Sequence, residues 1–185
     1  SNARVDYSTR HSKLHVFQPA PDRLFVLMAA GNLGTTQAVL NRIRRDLALD
    51  EAEAAAQILS VVNDGPAPTA PPRSPGTADE SRDLLTARYL FEAADYVGRL
   101  SVAVQRAFST PLQQAGASGE ASFILGGQIA GQPHGLYLIY PQGNAIMATP
   151  ETPFLQIGES KYGKPPLDYV GHTRLSLEDA ARLCL

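Results

Sequence analysis

Polar and apolar positions alternate through Lys13-Leu14-His15-Val16-Phe17, whereas Leu24–Ala30 is almost wholly apolar. The first pattern fits a half-buried strand and the second a strand buried on both faces. Gln18-Pro19-Ala20-Pro21-Asp22 lies between them with turn residues, so the two strands are predicted to pair as a hairpin. After Gly31-Asn32-Leu33-Gly34 the period changes, and Thr36, Leu40, Ile43 and Leu47 recur at helical spacing. Asp50 with Glu53 resembles a capping box and predicts a second, short helix carrying Ala52, Ala55, Ala56, Leu59 and Val62.

The pattern is lost between Asn63 and Ser81, where prolines and glycines exclude a helix and little could be buried. Neither flank is complete alone, so 63–81 reads as a surface insertion in a single domain spanning 1–185. A helix is predicted from about Asp79 to Phe108. Leu90, Ala94, Val97, Ser101, Val104 and Phe108 alternate at spacings of four and three, a narrow seam. Such a seam packs on another helix, and the protein's own core is the default partner over a neighbouring subunit. Four strands follow at Ala121–Leu125, Leu136–Tyr140, Ala145–Thr149 and Phe154–Ile157, with Gly131–Gly135 and Pro141–Asn144 as turns. A helix could begin at Ile157-Gly158-Glu159-Ser160. Ser176 and Asp179 cap a final helix, Leu177–Leu185. This order predicts an α+β domain with helices layered on sheets.

Composition narrows the function classes. The chain has 185 residues, 44% hydrophobic and 18% charged, with a formal net charge of −2. That balance carries no electrostatic footprint for nucleic acid or an anionic membrane. Arg42, Arg44 and Arg45 read as one solvated helix face. The one cysteine, Cys184, cannot form an internal disulfide. No apolar run has the length of a membrane span, and the first residues are too polar for a signal peptide, so a cytoplasmic location is expected. His11, His15, His134 and His172 lack ligand spacing, so no metal is expected. Gly126–Gly131 is not a dinucleotide fingerprint, so no cofactor is expected either, and its Gly126-Gly127 pair predicts a bulge or close sheet packing. No GxSxG elbow is present.

Several long segments carry a resemblance. They are Lys13–Phe17, Ala29-Ala30-Gly31-Asn32-Leu33-Gly34-Thr35-Thr36-Gln37, Ser122-Phe123-Ile124-Leu125-Gly126-Gly127-Gln128, and Phe154–Pro165. In this order they resemble Anbu, proteasome-like bacterial proteins related to proteasome β-subunits and the N-terminal nucleophile hydrolases. The resemblance runs over nearly everything except the Pro-rich stretch. It implies a four-layer αββα sandwich, incomplete at the sheet edges because both ends read as cut, with Ser1-Asn2-Ala3 as a tag remnant.

The resemblance also implies a site. In that family an N-terminal threonine attacks the substrate, and its own α-amine moves the proton. An α-amine with a pKa near 8 is already a usable base at neutral pH. By similarity Lys13 contributes the positive charge that lowers the proton affinity of amine and hydroxyl. Without the resemblance it reads as a surface lysine at a strand edge. The backbone N–H of Gly31 carries over as oxyanion donor, although a glycine there also suits a plain strand-to-helix turn. Ala29, Leu33 and Gln37 would line the pocket for the residue before the cut. Ser160 falls at the supporting-serine position, in a register ambiguous by one, so that Glu159 could take its place or simply cap a helix. The nucleophile and the aspartate that orients the lysine would precede Ser1, and further supporting residues would follow Leu185.

The implied parent is therefore a threonine-type peptidase subunit that assembles with itself into a ring or open spiral and acts on peptides or unfolded polypeptide. A non-catalytic scaffold of the same fold and a small-metabolite amide hydrolase are the alternatives. The chain as written is expected to lack peptidase activity. Unpaired strand edges recruit partners, so it should dimerise or aggregate as its concentration rises. Light scattering across a concentration series tests this, and a constant monomer mass would contradict it.

Overall fold

The computed structural model describes residues 12–63, 83–170 and 174–183, with the backbone alone at 49–63, 160, 162 and 183. The tag-like residues 1–3, nearly all of the Pro-rich stretch, and Cys184 lie outside the described residues. Strands β1 (Leu14–Ala20), β2 (Arg23–Gly31), β3 (Ala121–Ile129), β4 (Gly135–Ile139) and β5 (Ala145–Met147) form one antiparallel sheet in sequence order. The helices are α1 (Leu33–Asn63), α2 (Leu90–Gln114), α3 (Ser160–Val170) and α4 (Leu177–Leu183).

The hairpin forms with a tighter turn than expected. Ala20 pairs with Arg23, so only Pro21 and Asp22 connect β1 to β2. Pro19 is tolerated because β1 is an edge strand, and the register shifts between Phe17 and Ala20. Beside it, the Arg23 guanidinium donates to the carbonyls of Leu85 and Ala87 and pairs with Asp22. That clamp ties the hairpin to the segment leading into α2.

Three expectations change. The helix break at Asp50 does not occur, because α1 continues to Asn63. Alanines at 52, 54, 55 and 56 favour propagation, and no Gly or Pro interrupts it. Of the helix predicted from about Asp79, residues 79–82 lie outside the described residues, 83–89 are not helical, and the helix runs from Leu90. Before it, Asp83 Oδ1 accepts from the N–H groups of Leu85 and Thr86, and the Glu92 carboxylate accepts from the Arg88 N–H at 2.6 Å. Side chains thus hold two turns ahead of the helix. The strand predicted at Phe154–Ile157 is also missing. After a reversal at Thr149–Thr152, residues 154–157 run irregularly, with Gln156 bonded to the nearby Glu159 carbonyl. The run Phe-Leu-Gln-Ile has no clean alternation to commit it to a sheet face.

Helices α1 and α2 pack on one face of the sheet. Phe25, Leu27, Phe123, Leu125 and Ile139 point into this interface, where Val39 and Ile43 of α1 and Val97 and Val104 of α2 meet them, all at 0% exposure. Each such side chain contributes roughly 1.5–3 kcal/mol by leaving water. The α2 seam therefore faces the protein's own core, except for Phe108, which is 43% exposed. Tyr96 links the two helices by donating to Asp46 Oδ2 at 2.8 Å, and burial, then Asp46, pushes its phenol pKa upward.

The opposite sheet face differs. Leu14, Val16, Leu24, Met28 and Ile146 alternate with the core positions and are all exposed. Among the described residues, then, the sheet is covered on one side by helices and open across much of the other. Gly126 and Gly127 continue the β2–β3 register without a bulge. A Cβ at Gly127 would lie 2.5 Å from the Leu24 carbonyl, so close packing explains the pair.

One contact sets the seat of α2. A Cβ on Gly98 would collide with the carbonyl oxygen of Gly143 in the β4–β5 turn. Gly98→Ala should therefore lower stability by about 1–3 kcal/mol, as other overpacked sites do. Urea unfolding checks this, and an unchanged midpoint would show that α2 can shift freely.

Candidate active site

β2 ends at Gly31, whose φ of 108° is one that L side chains rarely adopt. A Cβ there would stand 2.5 Å from the Glu120 carbonyl oxygen and 3.0 Å from Ala121 Cα. Glycine is thus required both by backbone conformation and by the closeness of β3. Asn32 follows as the N-cap of α1. Its Oδ1 accepts from the Thr35 N–H at 2.9 Å, while its amide donates to the Ser118 carbonyl at 3.0 Å. Thr35, 1% exposed, donates its hydroxyl to the Gly119 carbonyl at 2.8 Å. The start of α1 is therefore tied to the chain entering β3.

Strand geometry fixes the direction of the Gly31 donor. The Asn32 N–H bonds the Glu120 carbonyl at 2.8 Å, one residue beyond the Gly31–Ala121 pair. In an antiparallel ladder this marks Gly31–Ala121 as a non-hydrogen-bonded pair. The Gly31 N–H accordingly points away from β3, toward the side on which β1 lies. Leu14 is the first residue of β1 and pairs with Met28, so β1 enters at this same end of the sheet.

The remaining sequence-predicted residues gather here to differing degrees. Lys13 is exposed and stands one residue ahead of β1, not within it; continuing the register places it opposite Ala29. Ala29 is buried on the helix-covered face, and Leu33, half-buried, opens α1. Gln37, one turn along α1, lines a cavity of about 380 Å³ with Ser12, His15, Leu40, Asn41 and Arg44. The segment before α3 reaches the same strand end, since a Cβ on Gly158 would come within 3.4 Å of Ala30 Cβ. Glu159 Oε1 accepts from the Lys161 N–H at 3.1 Å and so acts as the helix cap; the Ser160 side chain lies outside the described residues.

No protein-family model matches the chain, and no curated protein matches it. Solved structures do. Anbu from Hyphomicrobium sp. strain MC1 is 37% identical with a TM-score of 0.68, and the match covers 100% of this chain and 64% of that one. A second crystal form of that protein is 36% identical with a TM-score of 0.67, covering 97% of this chain and 67% of that one. The helical assembly of the Anbu complex from Pseudomonas aeruginosa is 36% identical, with a TM-score of 0.71 and coverage of 100% and 64%.

This chain belongs to the Anbu family.

Anbu is a proteasome-like bacterial protein, and the chain spans somewhat less than two thirds of the length of the first Anbu chains it matches, 62% and 64%. The segments that carried the resemblance meet in space. Lys13–Phe17 and Ala29–Gln37 form the β1 and β2–α1 sides of the strand end, and Gly158 closes it at Ala30. A larger cavity of about 490 Å³ lies elsewhere, between the second half of α2, the loop Ala117–Glu120 and Pro141. It includes none of the predicted site residues. Among the described residues no three His, Cys, Asp or Glu side chains gather as metal ligands, and no helix is long and apolar enough to cross a membrane.

Sequence reasoning passed over Asn32 and Gln156. Asn32 carried a usable signal, an N-cap residue just ahead of a helical stripe. Gln156 carried none; its amide holds the Glu159 carbonyl at 3.2 Å, while its buried Oε1 meets no hydrogen-bond partner among the described residues. The double use of Asn32 makes a testable distinction. Asn32→Ala removes both the cap and the bond to Ser118 and should cost about 2–3 kcal/mol. Asn32→Asp keeps the cap oxygen and loses only the bond to Ser118, about 1 kcal/mol. Urea midpoints of both variants check the order, and equal losses would refute the cap.

Proposed function

We propose that this Anbu chain is part of a proteasome-like N-terminal nucleophile hydrolase, a threonine-type peptidase subunit that cleaves amide bonds in peptides or unfolded polypeptide. The observation that carries the reading is the direction of the Gly31 N–H, aimed away from β3 at the strand end where Lys13 and the Gly158–Ser160 segment also arrive. A fixed backbone donor suits the oxygen that becomes negative when an amide carbonyl is attacked.

In this mechanism the first residue of the mature protein is a threonine. Its α-amine takes the hydroxyl proton as the oxygen attacks, and later delivers it to the leaving amine. Lys13 holds positive charge near that amine and hydroxyl and makes the alkoxide easier to form. Gly31 stabilises the tetrahedral oxyanion. Ala29, Leu33 and Gln37 border the pocket for the residue before the cut, and Ser160 or Glu159 supports the nucleophile's surroundings.

The open sheet face supports the four-layer αββα sandwich. Leu14, Val16, Leu24, Met28 and Ile146 form an alternating apolar surface of the kind that a second sheet covers. The helical assembly of the relative from Pseudomonas aeruginosa supports self-association of this chain into a ring or open spiral.

The test begins with intact-mass and N-terminal sequencing of the protein made from its full reading frame. A mature N-terminal threonine is expected, and Lys13→Ala should then lower peptide hydrolysis at least about 100-fold without lowering the melting temperature. A mature chain starting with a residue that is not a nucleophile would sink the hydrolase reading and leave a scaffold.

A further inference from the structure

One side chain steers the segment that reaches the Gly31 end ahead of α3. Residues 154–157 form no regular element, Gly158 lies beside Ala30 at the end of β2, and α3 starts at Ser160. Gln156 spans this join. Its amide donates to the Glu159 carbonyl at 3.2 Å, and Glu159 Oε1 in turn accepts from the Lys161 N–H at 3.1 Å. Glu159 is thus held through its main chain by Gln156, while its side chain caps the helix.

Helix α3 leaves room for that amide. Gly163 is its fourth residue, and a Cβ there would stand 2.6 Å from Gln156 Nε2 and 3.4 Å from Cδ. Glycine at this place weakens the helix relative to alanine, and the notch it opens is where the Gln156 amide sits. The obstacle to a methyl group is the end of a flexible side chain. Such a group would therefore push the amide off the Glu159 carbonyl and leave the helix backbone in place. Gly158 adds a second constraint, since its φ of 83° is one that L side chains rarely adopt.

We propose that Gln156 is a positioning residue of the active site. Seated against Gly163 and bonded to Glu159, it fixes the main chain of 158–160 beside Ala30 and sets where the start of α3 stands relative to the Gly31 N–H. This rests on the hydrolase reading and names a further residue for it. A supporting group moved by about 1 Å can cost on the order of 100-fold in rate. Ala29, Leu33 and Gln37, which border the substrate pocket, belong to β2 and α1, so the loss should fall on kcat and spare KM.

The experiment uses the full reading frame with Gln156→Ala, Gly163→Ala and the double variant. Hydrogen exchange of 157–165 is followed by mass spectrometry, and kcat and KM are measured on N-acetyl tetrapeptide aminocoumarin amides. Gly163→Ala is the decisive variant, because helix propensity alone would slow exchange there. Displacement of the amide should instead quicken it at least about threefold, as Gln156→Ala should also do. Each single variant should lower kcat about tenfold or more, with KM unchanged within about twofold. The double variant should lose no more than Gln156→Ala, since no amide remains to displace. Slower or unchanged exchange in Gly163→Ala, or losses that multiply in the double variant, overturn the proposal. Faster exchange with an unchanged kcat also overturns it, leaving a bond that only holds the fold. A parent protein that cleaves none of the peptides would instead overturn the hydrolase reading, and exchange would still decide whether Gln156 holds 158–160.

Discussion

The attachment of the α1 start to the chain entering β3 is the constraint on which the rest depends. The Asn32 backbone, the Asn32 amide and the Thr35 hydroxyl bond three successive carbonyls, Glu120, Ser118 and Gly119. A helix N-terminus and a strand entry distant in sequence thereby become one rigid corner. Gly31, with its positive φ, lets β2 turn into that corner, where a side chain would strike the Glu120 carbonyl. The same corner orients the Gly31 N–H and seats α1 on β2 and β3, where Gln37 and Arg44 border a cavity shared with His15 of β1.

A second anchor works at the far end of β2. Arg23 gathers the carbonyls of Leu85 and Ala87, and this fixes where the chain re-enters the fold ahead of α2. Helix α2 then covers β3, β4 and β5, with Val97 and Val104 fully buried. Core burial supplies most of the stability, whereas these polar anchors choose which packing is reached. The exposed Lys164–Asp168 and Arg182–Glu178 pairs add little by comparison.

Much of this was legible in the sequence because periodicity reports burial. The hairpin, three of the later strands, the α1 stripe and the α2 seam follow from apolar spacing alone. Boundaries failed where side chains or neighbours overrule local signals. Asp50 and Glu53 resemble a cap but sit inside a helix that alanines carry onward. The chain before α2 is held by Asp83 and Glu92 in turns that apolar spacing cannot locate. Helix α3 accommodates Pro165 and Pro166, residues that argue against a helix on sequence grounds. At the site, Gly31 announced itself as a glycine between strand and helix, but the direction of its N–H depends on pairing parity with β3. Arg44 was readable only as part of a solvated face, because spacing does not reveal which flank of a helix a neighbouring strand will border.

The contact between Gly98 and Gly143 has a genetic consequence. The obstacle to a side chain at 98 is the carbonyl oxygen of residue 143, an atom that every amino acid carries. A bulky side chain in a core can often be relieved by trimming its neighbour, but a main-chain oxygen cannot be trimmed. No second-site replacement at 143 can therefore act as a suppressor of a substitution at 98. Relief has to come from displacing main chain, either by moving α2 off the turn or by rebuilding the turn through an insertion or deletion between β4 and β5.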